Sequence, residues 1–212
     1  YLFLPISKSS YDSVLTIVEY VVQYFYRAQN DYGRRNYIDH YREYKKEVND
    51  LFEREFVGYR FIDNEITPIS DNVEVDAISE SLDIKFEGCK SHIKKALHFL
   101  SDRNTPDYKN SIKESISAVE SICKIITKSD NATLGKALNN LADNGIQMHE
   151  ALRRAFSTLY GYTSDEGGIR HSEGLFESNV TFEEAKFMLV SCCTFVNYLI
   201  AEYGKINEKQ RN

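Results

Sequence analysis

Arg170 and His171 stand side by side and are the residues of this chain best suited to chemistry. An imidazole gives and takes a proton near neutral pH. A guanidinium holds charge on phosphate oxygens through a fixed fork of donors. The pair could therefore work on a phosphoester, or bind a phosphate or other ligand without turning it over. A third use is structural: Asp165, Glu166 or Glu173 could pair with both and anchor the segment. Basic side chains elsewhere could add to a phosphate-binding surface. Lys90 and Lys94 stand four apart, as do Lys109 and Lys113, and each spacing shares a helix face. Arg153 and Arg154 lie on the helix that leads into the loop. The plainer reading of all six is solvated helix surface. The alternative is an RNA footprint gathered from several helices.

Other candidates are weaker. His92 and His98 are six apart and do not share a face well, and His149 opens a helix. No His/Cys/Asp/Glu set has metal-ligand spacing, so no metal and no cofactor is expected. There is no P-loop or nucleophile elbow. Gly167-Gly168 is too short to cradle a phosphate, though it would let a ligand approach the backbone closely.

The elements that must position these residues are nearly all helical. Apolar spacing predicts helices over 13–27, 37–56, 71–82, 89–101, 108–128, 134–143, 148–160 and 182–203. The second carries Tyr37, Tyr41, Tyr44, Val48, Leu51, Phe52 and Phe56 as an aromatic stripe, either core or a partner surface. Between 58 and 70 the period changes to alternation about Asp63-Asn64, which predicts a β-hairpin of 59–62 with 65–67. Pro68 puts the second strand on an edge or ends it. Asp107 is a candidate N-cap, Thr181-Phe-Glu-Glu184 a capping box, and Asn144-Gly145 a helix stop. Gly161 should end the 148–160 helix and open a polar loop to Asn179. That loop exceeds the ~12–15 residues beyond which loops are usually functional or disordered.

The 212 residues suit one large or two small domains, with a boundary near 70–86 that separates a 1–86 region from 87–212. Residues 1–86 carry 10 Lys+Arg against 16 Asp+Glu, and the remainder 16 against 16. Bulk charge thus excludes a general nucleic-acid binder, and any RNA contact needs a local patch. Cys89, Cys123, Cys192 and Cys193 form no C-x-x-C pair and read as buried thiols in a reducing compartment, so the cytoplasm is expected. No stretch reaches the ~18–20 uninterrupted apolar residues of a spanning helix, so no membrane partner is expected. The chain opens on Tyr1 and reads as a fragment that lacks an upstream segment.

Several stretches carry a resemblance. Ser111–Glu120, Ala132–Leu138, Leu159–His171 and Phe182–Ser191 resemble the C-terminal region of abortive-infection J-type (AbiJ) proteins with one variety of N-terminal domain. Glu53–Ser70, with Gly-Tyr-Arg-Phe-Ile-Asp at 58–63, resembles the same family. The likeness covers roughly 53–203 and, in less detail, 1–52. It implies a mostly α protein, with a HEPN-like helical bundle after a smaller helical region that holds the hairpin. It also implies a role in bacterial antiviral defence.

Many HEPN domains resemble metal-independent RNases whose motif is Arg, four to six residues, then His. The resemblance thus implies an RNase-type toxin acting on RNA through the 161–179 loop. Arg170 would stabilise phosphate charge and His171 would move the 2′-OH proton. It also implies a homodimer, while the fragment reading from Tyr1 adds a missing N-terminal segment or a partner protein to the expectation. Here the Arg and His are adjacent, and Leu175, Phe176 and Glu177 occupy the spaced positions. The literal spacing occurs at Arg35–His40, but chance alone yields roughly 0.8 such matches in a chain of this composition. The alternative function is a non-catalytic HEPN-like module for dimerisation, ligand sensing or regulation.

Overall fold

The computed structural model describes residues 10–32, 36–129, 134–164 and 180–209. Arg170, His171 and most of their loop lie outside the described residues. The chain divides into two compact units, Tyr1–Val75 and Asp76–Asn212. Among the described residues it is mostly α. The order is α1 (Tyr11–Tyr32), α2 (Asn36–Arg54), β1 (Arg60–Ile62), β2 (Glu65–Thr67), α3 (Asn72–Leu82), α4 (Glu87–Ser101), α5 (Tyr108–Thr127), α6 (Leu134–Asn140), α7 (Glu150–Ser164) and α8 (Phe182–Lys209).

In the first unit α1 and α2 pack together over the hairpin. Leu15 and Val22 of α1, Phe52 of α2, and Phe61 and Ile66 of the strands form the core, with Tyr41, Tyr44 and Val48 against it. The middle of the tyrosine stripe is therefore core. The strands pair antiparallel, Arg60 with Thr67, Phe61 with Ile66 and Ile62 with Glu65. Asp63 makes the turn at φ 52, a left-handed value that Asp tolerates. A two-stranded sheet is marginal alone, and α1 and α2 supply side chains that complete it. The Asn49 carboxamide accepts from Phe61 N (2.7 Å) and donates to Phe61 O (3.1 Å). Glu19 Oε1 accepts from Ile66 N at 2.7 Å. Lys45 Nζ donates to Asp63 O across the turn.

The stripe does not run to its expected end. After Arg54 the chain turns, with Val57 N donating to Phe52 O (2.7 Å) and Phe56 N to Glu53 O (3.2 Å). This is the Schellman motif, and it puts Phe56 where glycine is preferred, at φ 54. The turn swings the ring off the stripe, leaving it 96% exposed. Left-handed backbone costs a residue with a Cβ about 1–2 kcal/mol. Phe56→Gly removes that cost and sacrifices no packing. It should stabilise the first unit by about 1 kcal/mol, less glycine's own entropy, read as a higher urea midpoint.

In the second unit α4 and α5 form an antiparallel pair. Ser111 Oγ donates to Ala96 O (2.8 Å), and His92 Nδ1 lies 2.7 Å from Glu114 Oε2. Gly88 allows the close approach, since a Cβ there would come within 3.1 Å of Ser121 Oγ. Their connection is held by Asp102, whose Oδ1 accepts from Thr105 N and Asn104 N. Those backbone donors hold its carboxyl below the usual range. Asp107 caps α5 by accepting from Asn110 N at 3.0 Å. Over this pair lies α8, with Ala185, Met188, Leu189, Cys192, Val196 and Leu199 buried at helical spacing. α6 adds Leu134, Ala137 and Leu138 to the core.

The units divide at Val75/Asp76, and Ile78, Ser81 and Leu82 of α3 are buried beyond that point. Some helix ends differ from expectation. α6 stops at Asn140, and the stop at Asn144-Gly145 follows as a separate turn with Gly145 at φ +90. Gly161 does not end α7, which runs on to Ser164. α8 continues to Lys209 rather than 203.

Candidate functional site

The segment that carries Arg170 and His171 joins α7 to α8, and the start of α8 is defined by its cap. Thr181 Oγ1 accepts from Glu184 N (3.2 Å) while Glu184 Oε2 accepts from Thr181 N (2.9 Å), the reciprocal capping box. The start of α8 is thereby fixed.

The arginines of α7 are engaged. Arg153 places Nη2 2.6 and 2.7 Å from the two Glu150 oxygens, and Arg154 Nε lies 2.7 Å from Oε1. Arg153 also donates to Asn139 Oδ1, which ties α7 to the end of α6. Hydrogen bonds from Arg153, then Arg154, hold the Glu150 carboxyl below its ordinary range. One carboxylate thus neutralises part of the charge these arginines could offer a phosphate. Arg154, 75% exposed at its side chain, retains the freer surface.

The lysine pairs do not converge. Ala96 and His92 mark the edge of α4 that meets α5, and Ser111 and Glu114 mark the edge of α5 that meets α4. At 100° per residue, Lys90 and Lys94 fall on the side of α4 away from α5. Lys109 and Lys113 fall on the side of α5 away from α4. The two pairs lie on opposite flanks, and Lys90 Nζ is 4.0 Å from Glu87.

The histidines have structural partners. His92 bridges to Glu114. The His98 ring packs 6.1 Å from Phe99. His149 Nδ1 accepts from Ala151 N at 3.2 Å at the start of α7. His40 is exposed on α2, while Arg35 lies outside the described residues. Among the described residues no group of His, Cys, Asp and Glu is placed to hold a metal.

A cavity of about 560 Å³ opens within the second unit, between the 80–86 turn and the C-terminal half of α8. Ile84, Phe86 and Ile200 give it apolar walls, and Glu80, Asp83, Lys85 and Tyr203 give it polar ones. Sequence reasoning passed over it because its two walls lie more than a hundred residues apart. One local signal was available: Gly204, in mid-helix, where glycine is disfavoured.

α8 has a second property. Phe182–Ile206 is long and apolar enough to cross a membrane by length and composition. Counting only uninterrupted apolar residues misses it. The buried stripe from Ala185 to Leu199 supplies part of these apolar residues, while Phe187 is exposed.

The comparisons turn on the α1–α2–hairpin unit and the helix after it. Residues 4–83 match the family AbiJ N-terminal domain 4. The match covers 80 of the 212 residues and is a likeness of that part of the chain to the domain. It spans α1 to α3 and reaches just past Leu82. The AbiJ-type likeness seen in the sequence is densest further on, over 111–191, and that part lies outside the matched residues. No curated protein and no solved structure matches the chain.

Proposed function

We propose that this chain is an abortive-infection defence protein whose second unit is a HEPN-like bundle, cutting RNA without a metal through the loop that bears Arg170 and His171. The observation that carries the reading is the AbiJ N-terminal domain 4 match over residues 4–83. The helical second unit, with its capped last helix directly after that loop, is compatible with a HEPN-like bundle. In this reading His171 takes the 2′-OH proton and Arg170 stabilises charge on the scissile phosphate. The site is shared across a homodimer in the cytoplasm. Lys90, Lys94, Lys109, Lys113 and Arg154 reach RNA only as separate contacts, since the lysine pairs lie on opposite flanks.

Purified protein should cleave tRNA or total RNA in the presence of a chelator. Arg170→Ala/His171→Ala should abolish the cleavage while leaving the circular dichroism spectrum unchanged. Equal cleavage by both would reject the assignment of these residues. No cleavage by wild type at high concentration would reject the nuclease. A second reading, a ligand-sensing module, is favoured by the cavity between the 80–86 turn and α8.

A further inference from the structure

We propose that the cavity between the 80–86 turn and α8 is a binding site for a small organic cation with an apolar body, such as a protonated aryl or alkyl amine. Its volume, about 560 Å³, lies within the range of small-molecule pockets. All of its walls belong to the second unit, so the site is complete within one compact body. This inference does not rest on the nuclease reading and survives its failure.

The chemistry of the walls selects the ligand. Ile84, Phe86 and Ile200 offer an apolar body its burial. The polar atoms are mostly acceptors. Glu80 and Asp83 bring two carboxylates against the single ammonium of Lys85, so the site is net negative. Asn197, also in the wall, spends its amide N–H donors on Ala77 O (3.0 Å) and Glu80 Oε2 (3.1 Å). Its Oδ1 is a buried acceptor with no donor among the described residues. Phe86 and Tyr203 add aromatic side chains to the lining, and an aromatic ring attracts a cation over its face.

Gly204 also lies in the wall. It lies inside α8, where any residue but proline would favour the helix more. Packing does not demand it: a Cβ built there meets nothing within 4 Å. Gly58 and Gly135 are open in the same way, whereas a neighbour lies 3.1–3.2 Å from a Cβ added at Gly88 or Gly145. Gly204 is an exposed position in the cavity wall.

The test uses tryptamine as probe, with indole-3-acetate as an anion on the same ring, titrated into the full chain by isothermal calorimetry. Tryptamine should bind saturably, at least tenfold more tightly than indole-3-acetate. Asp83→Asn, at an exposed position, should weaken tryptamine several-fold. Gly204→Leu should abolish binding while the melting temperature holds or rises. Equal affinity for the two probes would overturn the proposal, as would binding unchanged in both variants. Absence of binding by tryptamine, phenethylamine and hexylamine alike would also overturn it. Should Gly204→Leu fail to fold, Asp83→Asn decides alone.

Discussion

Iodoacetamide at pH 8 should leave all four cysteines of the folded protein unmodified, and should label all four once urea is added. Cys89, Cys123, Cys192 and Cys193 are free and at most 3% exposed. Burial pushes the Cys89, Cys123 and Cys193 thiols up to about 12, and raises Cys192 as well. Neighbouring groups oppose ionisation further: Cys193 beside Cys89, and Glu120 then Cys89 beside Cys123. The thiolate is the reactive form. At pH 8 its fraction falls about 10³-fold when the pKa moves from 9 to 12, before access is counted. Labelling of any of the four at the rate of a free peptide thiol would show that α4, α5 and α8 do not pack as described.

The same shifts set an alkaline limit. A thiol that is harder to ionise in the fold favours the unfolded chain wherever that chain would ionise. Stability is intact below pH 9 and is lost as pH rises from 9 toward 12. The urea midpoint should therefore hold from pH 7 to 8.5 and fall by pH 10.

Asn49→Ala should cost the first unit roughly 2–4 kcal/mol, the size expected when a buried donor and a buried acceptor lose their partner together. Phe61 is 5% exposed, so water reaches its peptide groups poorly once the carboxamide is gone. Asn49→Asp separates the two bonds. It keeps an acceptor for Phe61 N and sets a carboxylate oxygen against Phe61 O, and so should cost about as much as alanine at pH 7. It should recover part of that loss at low pH, where a protonated carboxyl can donate. Urea unfolding followed by tyrosine fluorescence reports this unit preferentially, because ten of the 15 tyrosines lie in residues 1–59. A change under 0.5 kcal/mol for Asn49→Ala would mean the hairpin does not depend on α2.

What was legible in the sequence was local. The Thr181–Glu184 box, the Asp107 cap and the Asp63-Asn64 turn each depend on residues within a few positions of one another, and each forms as its spacing predicts. Gly161 misled because one helical glycine costs only about 1 kcal/mol and does not force an end. Phe56 misled because periodicity carries no information on where a Schellman turn will break it. The pairs Asn49–Phe61 and Glu19–Ile66 join elements that no local pattern connects. For the site, sequence supplied the residues of interest but not their geometry. It could not show that Glu150 occupies both arginines of α7, nor that the lysine pairs diverge across the α4–α5 pair.

The Asn49 and Glu19 bonds have a consequence for how the first unit can meet other chains. A two-stranded sheet has two open edges, each a template on which another strand can grow. Here a side chain from α2 occupies the outward Phe61 groups of one edge, and one from α1 the outward Ile66 group of the other. An incoming strand would have to break these bonds before making its own. The hairpin is therefore stoppered against strand addition and against edge-to-edge aggregation. A partner of this unit must read side chains on its helices rather than extend its sheet.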